Sequence, residues 1–596
     1  MKKSFDFNIV AGWYGMKISV LKRIIIYCKP YNRFFVLAMI SAMIQISLTL
    51  YGPILIGQAV DAMIAYHNVD YISIIKTLCF LSATIVGAMI FQWIMTYCIH
   101  KLTYCTTQDV RVAVYRKINH MPLKYLDSHA HGDLISRIVN DTDQVADGIL
   151  QGFTQFFTGI VTIVGTIMFM LSVSPFITLL VVFITPLSLF VAAFLAKLSH
   201  KMFVKQQLIQ GQLSGYIEEL IGNQKVVKVF CYEKRAFQKF EILNEELRIC
   251  GQKAQFYSAL ANPSTRFVNG IVYAAVAVIG SVCAITGSPV SLTIGGITSF
   301  LTYANQYTKP FNEVTGVITQ IQTAFASAQR LFHVLDQQAE PLDAPDAITM
   351  TGCKGQVSIE HLYFSYRPEM RLIEDFNLQV NPGDRIAIVG PTGSGKSTLI
   401  NLLMRFYDAS EGRISIDGIP ITQITRNSLR NQFGMVLQDT WLHHGTIRDN
   451  IAYGKSGAKD EEIVTAAKSA FAHDFIMQQP NGYDTVISEN GGNLSQGQKQ
   501  LLCIARVMLV CPPMLILDEA TSSIDTRTEL KVQAAFQNLM KGRTSFIVAH
   551  RLSTIQNATT ILVMENGKVI EQGNHEVLLA RNGFYAKLYQ SQFANM

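Results

Sequence analysis

The sequence predicts two folds on one chain: an all-α transmembrane domain of six helices, followed by an α/β domain built around a P-loop. Three observations predict it. The first 310 residues hold uncharged apolar runs long enough to cross a bilayer, a Gly-rich loop at Gly390–Thr398 sits between a strand pattern and a helix pattern, and the composition turns acidic and Pro-containing between them. A chain of 596 residues exceeds a single core. Its 49% hydrophobic and 16% charged residues, with mean hydropathy +0.25, are those of a membrane protein rather than a soluble enzyme.

The apolar runs set the first domain. Residues 34–60 and 77–99 carry no charged side chain, and at ~1.5 Å per residue each spans a ~30 Å hydrocarbon core. Two longer uncharged runs, 148–196 and 267–308, are broken at Ser172-Val173-Ser174-Pro175 and Thr286-Gly287-Ser288-Pro289, so each reads as a hairpin of two spans. The six predicted spans are about 34–60, 77–99, 148–171, 176–196, 267–286 and 290–315, within a transmembrane domain of residues 34–325. Ahead of them, residues 1–33 form a cytoplasmic segment whose Met16–Lys29 stretch alternates Ile18, Val20, Leu21 and Ile24–Ile26 with cations, the pattern of an interfacial elbow helix. Residues 326–355, with Pro341 and Pro345, read as a linker, and strand patterns begin at Val357, within a second domain of 356–596.

Cation placement orients the spans. Residues 101–147 hold six Lys or Arg and 197–266 hold eleven, whereas the opposite loops hold only Lys76, which puts both termini in the cytoplasm. These long basic loops have helix-favouring composition, so the helices are expected to continue past the bilayer. Because the cations gather beside apolar runs, the net charge of +7 indicates a membrane protein and excludes nucleic acid as partner. Ten cysteines without paired or metal-ligand spacing, among them Cys79, Cys98 and Cys283 inside apolar runs, indicate a reduced protein without a disulfide framework. The first apolar run is too long for a cleavable signal core and is expected to remain as an anchor.

In the second domain, Arg385–Val389 reads as a short buried strand and Leu399–Met404 as a helix, and between them stands Gly390-Pro391-Thr392-Gly393-Ser394-Gly395-Lys396-Ser397-Thr398. Glycines let backbone N–H groups converge on phosphate oxygens at a helix N-terminus, Lys396 neutralises β/γ charge, and Ser397 offers a hydroxyl to Mg²⁺. Met514–Asp518 reads as a buried parallel strand ending in a carboxylate, the usual place for a group that holds Mg²⁺ directly or through water.

The order of this loop, then Leu494-Ser495-Gln496-Gly497-Gln498, then Asp518-Glu519 and His550, resembles the ATPase domain of the ABC transporter family. Six spans with two long internal loops resemble that family's exporter branch, and the resemblance covers residues 17–590. It implies ATP and Mg²⁺ as cofactors and a dimer, because ATP is sandwiched between one subunit's phosphate loop and the other's signature. It further implies Glu519 as the base that polarises the attacking water, Gln438 as the Q-loop residue that contacts Mg²⁺ and senses the membrane domain, and Asp525 as the D-loop residue crossing to the partner. His550 would be the switch histidine at the γ-phosphate, and Tyr366 the ring stacked on adenine. Ser495 and Gly497 would present a hydroxyl and N–H groups to the partner's nucleotide, followed by Gln498, at the start of the helix through Arg506.

One position departs from the family pattern: Gln496 stands where the consensus Leu-Ser-Gly-Gly-Gln has Gly. In members resembling this chain, a subunit that keeps the catalytic Glu often carries the deviant signature and pairs with a subunit of opposite character. The expected partner is therefore a second, non-identical ABC half-transporter subunit, a copy of the same chain being the alternative. Met121-Pro122-Leu123 through Arg137, and Gly222–Glu233, resemble the short segments that engage the ATPase domains. The implied function is MgATP-driven efflux of amphipathic small molecules across the cell membrane. A lipid flippase, a peptide exporter and an ATP-binding regulatory or channel-like protein are the alternatives, the last disfavoured by Glu519 and His550. The spans are rich in Met, Phe, Ile and small residues with isolated polar groups, Gln45, Gln92, Asn269, Asn305 and Gln306, a surface that suits large apolar or amphipathic substrates and equally the composition of lipid-facing helices. For Lys309 and Glu313, near the inner end of span six, the alternatives are the lining of a water-filled cavity, snorkelling, and pairing with each other four residues apart.

Overall fold

The computed structural model describes residues 19–63, 69–287, 292–366, 372–391, 393–438, 440–488, 493–518, 525–548 and 555–593. The chain separates into two compact units. One comprises Met1–His120 with His129–Gln337, and the other Met121–Ser128 with Gln338–Met596.

In the helical unit the long helices are α1 (Asn32–Met63), α2 (Tyr71–Asn119), α3 (Thr158–Val173), α4 (Pro175–Gly222), α5 (Glu233–Thr286) and α6 (Ile294–Asp336). The expected spans 34–60, 77–99, 176–196 and 267–286 fall within α1, α2, α4 and α5; 148–171 takes in the end of the helix Thr142–Gln151 and a π-helical turn, Gly152–Phe157, before α3, and of 290–315 the part from Ile294 lies in α6. Among the described residues, Ser19–Met63, Tyr71–Asn119, His131–Val173 and Glu233–Thr286 have the length and apolarity to cross a membrane, and Pro175–Thr185 is a shorter apolar stretch. With 49, 48 and 54 residues, α2, α4 and α5 run roughly 70–80 Å, far beyond a ~30 Å core. The first hairpin break is a single residue, Ser174, in extended conformation ahead of Pro175 at the start of α4. The second ends α5 at Gly287 with φ +69°, a left-handed terminus that glycine adopts without strain; Ser288 and Pro289 lie outside the described residues.

The seam between α1 and α6 shows how polar backbone is handled in this unit. Pro53 lies inside α1 and cannot donate to the preceding turn. Two hydroxyls from α6 bind carbonyls near it: Ser299 Oγ donates to Pro53 O at 2.7 Å, and the buried Tyr303 hydroxyl donates to Leu50 O at 2.6 Å. One turn away the helices touch through glycines, since a Cβ on Gly295 would stand 2.0 Å from Gly57 O. Asp61 Oδ1 accepts the Gly295 N–H at 2.7 Å and so satisfies the start of α6.

Of the expected elbow, residues 16–18 lie outside the described residues. From Ser19, the first described residue, the chain is helical, with Val20 buried and Leu21, Ile25 and Ile26 exposed. Arg23 grips the end of α6 there, bonding both carboxylate oxygens of Asp336 at 2.6 and 2.8 Å and lying 4.4 Å over the Phe332 ring.

The second unit is built on two sheets. The strands are β1 (Val357–Phe364), β2 (Ile373–Val380), β3 (Arg385–Val389), β4 (Glu411–Ile416), β5 (Ile419–Pro420), β6 (Phe433–Val436), β7 (Gly445–Thr446), β8 (Val486–Ile487), β9 (Met514–Asp518), β10 (Thr544–Val548), β11 (Thr560–Glu565) and β12 (Lys568–Gly573). An antiparallel sheet runs β2-β1-β4-β5, and a six-stranded sheet runs β12-β11-β3-β10-β9-β6, parallel except for β12; β7 and β8 form a separate small pair. The central strands read as continuous apolar runs because both their faces are covered. Ile386, Ile388, Met514, Ile516, Phe546 and Val548 join one core, while Ala387, Val389, Leu515, Leu517 and Ile547 join the other, strict period-two alternation.

The expected linker is divided between the units. Residues 326–336 complete α6, and residues 338–355 belong to the second unit. Arg426, buried at 6% exposure, holds them by donating to Pro341 O at 2.8 Å and pairing with Asp343 at 2.9 Å. Arg430 adds a 2.7 Å contact to Glu340.

Candidate nucleotide site

In open α/β sheets, ligands bind beyond the carboxyl ends of the parallel strands. Here the candidate residues leave the sheet on that edge. Gly390 follows β3, Asp518 ends β9 opposite Val548 at the end of β10, and Gln438 follows β6, exposed. Glu519 and His550 come directly after β9 and shortly after β10 in sequence; both lie outside the described residues, as does Thr392.

The Gly-rich loop is shaped by close backbone packing. A Cβ on Gly390 would stand 2.1 Å from Met564 O on β11, so no larger residue fits beside that strand. Gly395 has φ +99° and caps the helix Lys396–Leu403, a left-handed entry that any Cβ would strain. Lys396 curls back over the loop, its Nζ donating to Gly390 O and Pro391 O, each at 2.8 Å. Burial lowers its pKa, opposed by the nearby Asp518 carboxylate. Within the loop, Ser394 N–H donates to Pro391 O at 3.2 Å, and Ser394 is buried. Gly393 also has positive φ, while Ser397 and Thr398 occupy the helix's first turn.

Tyr366 is fixed against that helix. Its hydroxyl donates to Thr398 Oγ1 at 3.3 Å and accepts from Asn401 Nδ2 at 3.4 Å, leaving the ring 38% exposed. Tyr407 packs edge-on against it at 5.0 Å and donates its own hydroxyl to Asp127 Oδ2 at 2.7 Å. Burial first, then Asp127, raises the Tyr407 pKa. Asp127 ends the short helix Leu123–Asp127 of the segment Met121–Ser128, which clusters with this unit, whereas residues 129–137 cluster with the helical one. The second expected engaging segment holds the helix Gln224–Val229 and lies in the helical unit. Sequence reasoning missed the Tyr407–Asp127 pair; the only signal was an aromatic residue shortly after the loop's helix.

The signature opens the helix Gln496–Val510 with a reciprocal cap. Ser495 Oγ accepts the Gln498 N–H at 3.3 Å, and Gln498 Oε1 accepts the Ser495 N–H at 2.9 Å, so these two residues set the helix start while Gly497 is buried. Gln496 turns its amide to Thr440, Nε2 to Oγ1 at 3.3 Å, two residues past Gln438. Further along, Arg506 donates to Asn450 O at 2.9 Å and lies 5.0 Å over Tyr453 and 5.9 Å from the Trp441 ring centre, a second tie to the segment after Gln438 that sequence reasoning missed. Asp525 caps the helix Thr526–Met540, accepting the Thr528 N–H at 3.0 Å, and that bond holds its carboxyl below the usual range.

Comparisons with known proteins bear on the family and the fold. The family description "ABC transporter transmembrane region" matches residues 35–311, and "ABC transporter" matches residues 373–522. The chain is 42% identical over 523 residues to the "Fatty acid ABC transporter ATP-binding/permease protein" of Mycobacterium tuberculosis, covering 88% of this chain and 82% of that one. It is 35% identical over 580 residues to the "ATP-dependent lipid A-core flippase" of Syntrophus aciditrophicus, covering 97% and 95%. A solved structure of a bacterial Atm1-family ABC exporter with ATP bound superposes with TM-score 0.76 at 28% identity, covering 94% of this chain and 98% of that one. The chain belongs to the ABC transporter family, with the exporter fold, and carries on one polypeptide a transmembrane region and an ATP-hydrolysing domain coupled to transport.

Proposed function

We propose that this chain is one half of a dimeric exporter that uses MgATP to expel lipid-like amphipathic molecules across the cell membrane, with both termini in the cytoplasm. The observation that supports the ATP chemistry is that the strand ends leading to the phosphate loop, Asp518 and Gln438 lie on one edge of the sheet, with Glu519 and His550 following β9 and β10 in sequence. Gly390, Pro391, Thr392, Gly393, Ser394, Gly395, Lys396, Ser397 and Thr398 hold the phosphates, and Tyr366 stacks on the base. Ser397, Asp518 and Gln438 hold Mg²⁺; the electrostatic coupling of Lys396 with Asp518 fits a site that balances a metal against phosphate. Glu519 polarises the attacking water and His550 contacts the γ-phosphate. A lipid-like substrate is supported by the relatives named for a fatty acid and for lipid A-core.

Each subunit supplies its signature and D-loop to the other's nucleotide, so Ser495, Gly497, Gln498 and Asp525 of this chain face the site of the second subunit. We place a non-identical half-transporter there, because Gln496 puts a side chain where close approach to the opposing nucleotide favours Gly. The chain purified alone in lipid is expected to hydrolyse ATP no faster than its Glu519→Gln variant. A robust rate abolished by Glu519→Gln would instead show that two copies of this chain suffice.

A further inference from the structure

Two cavities of ≈400 and ≈320 Å³ adjoin within the helical unit and share Gln45, Thr49, Gln92 and Gln306 in their walls. They differ in character. The larger is completed mainly by apolar side chains from α1 and α2, among them Leu48, Ile56, Leu81, Ile85 and Met89. The smaller extends past the shared amides to Thr154, Gln155, Thr158, Thr162 and Lys309. The described lining of both includes one cation and no carboxylate.

The threonines of this belt, Thr49, Thr154 and Thr158, already donate to backbone carbonyls, whereas its amides are under-used. Gln306 Oε1 is buried and makes no hydrogen bond, and the Gln45 amide reaches only Thr49 Oγ1, at 3.4 Å. An amide buried among apolar groups without a partner is costly, and a cation near the hydrocarbon core costs more. Rotation of a Gln amide about its last torsion presents either its oxygen or its NH₂ to the cavity.

We propose that the paired cavities form a binding site for a single-chain amphiphile with an anionic head. Lys309 and the amide NH₂ groups of Gln45, Gln92 and Gln306 receive the head, and the alkyl chain lies in the apolar chamber. A volume of ≈400 Å³ is at the small end of ligand pockets and takes one chain rather than several. Carboxylates and phosphate monoesters share this head chemistry. The assignment rests on the export reading and narrows its substrate class.

The test is equilibrium binding of radiolabelled dodecanoate to the full chain in nanodiscs, without ATP, with dodecyl phosphate, dodecanol and dodecylammonium as competitors. Dodecanoate should bind saturably, displaced by dodecyl phosphate or unlabelled dodecanoate at least about tenfold better than by the neutral and cationic analogues, which corresponds to roughly 1.4 kcal/mol. Lys309→Met should remove that preference and leave dodecanol competition unchanged, while Lys309→Arg retains it. Gln306→Leu gives a second test if the lysine variant fails to fold, with the same loss of head preference expected. Equal competition by dodecanol and dodecanoate in the unaltered chain, or full head preference in Lys309→Met, overturns the site. Because no ATP is present, head-selective binding in a chain that fails to drive transport would overturn the export reading alone.

Discussion

At the scale of single residues, the proposal of an unlike partner turns on Gln496. The consensus glycine has no side chain to bond, whereas Gln496 joins the start of the signature helix to Thr440, just past Gln438. Such an exposed neutral hydrogen bond contributes about 0.5–1.5 kcal/mol at most, so its removal should leave folding nearly unchanged. Its consequence lies in hydrolysis. Gln496→Gly is expected to raise the rate of the purified chain severalfold above the Glu519→Gln blank, because two copies could then close on ATP with consensus signatures. An unchanged rate would remove Gln496 as the reason for an unlike partner. The neighbouring cap shows a different economy of residue use: Ser495 and Gln498, expected from the family pattern to serve the nucleotide, also hold each other's backbone, so replacing either one disturbs the helix start as well.

At the scale of elements, the short helix Leu123–Asp127 meets the nucleotide domain through a line of hydroxyls and rings. Asp127 accepts from Tyr407, Tyr407 packs on Tyr366, and Tyr366 bonds Thr398 in the helix that follows the phosphate loop. In sequence, Met121–Ser128 is flanked on both sides by residues of the helical unit, so any displacement of it is passed along the chain to them. Tyr407→Phe keeps the ring and deletes only the 2.7 Å bond to Asp127. The expected outcome is near-normal ATP hydrolysis by the assembled transporter with severalfold less substrate moved per ATP, measured as paired hydrolysis and transport rates. Equal falls in both rates would mean that the hydroxyl serves the nucleotide site itself.

At the scale of the whole molecule, the two folds were legible because each leaves a long, redundant signal. Charge-free runs mark the helices, and a Gly-rich loop between strand and helix patterns marks the sheet edge; of the isolated polar groups in the spans, Gln45, Gln92 and Gln306 line the two cavities. What the sequence concealed depends on side chains far apart in the chain. The cap at Asp61, the Tyr303 bond beside Pro53, and Arg426 holding Pro341 and Asp343 join residues 83 to 253 positions apart, and no local periodicity reports such pairs. The proposed export couples ATP hydrolysis at this sheet edge to movement of an amphiphile through the helical unit. Uptake of radiolabelled dodecanoate into inside-out membrane vesicles from the chain's own host tests it. The expected result is MgATP-dependent uptake that rises with the amount of this chain and falls by roughly 100-fold or more, to the background, in Lys396→Ala, which loses the cation at the transferred phosphate. Uptake that is independent of ATP, or equal in Lys396→Ala, would contradict it.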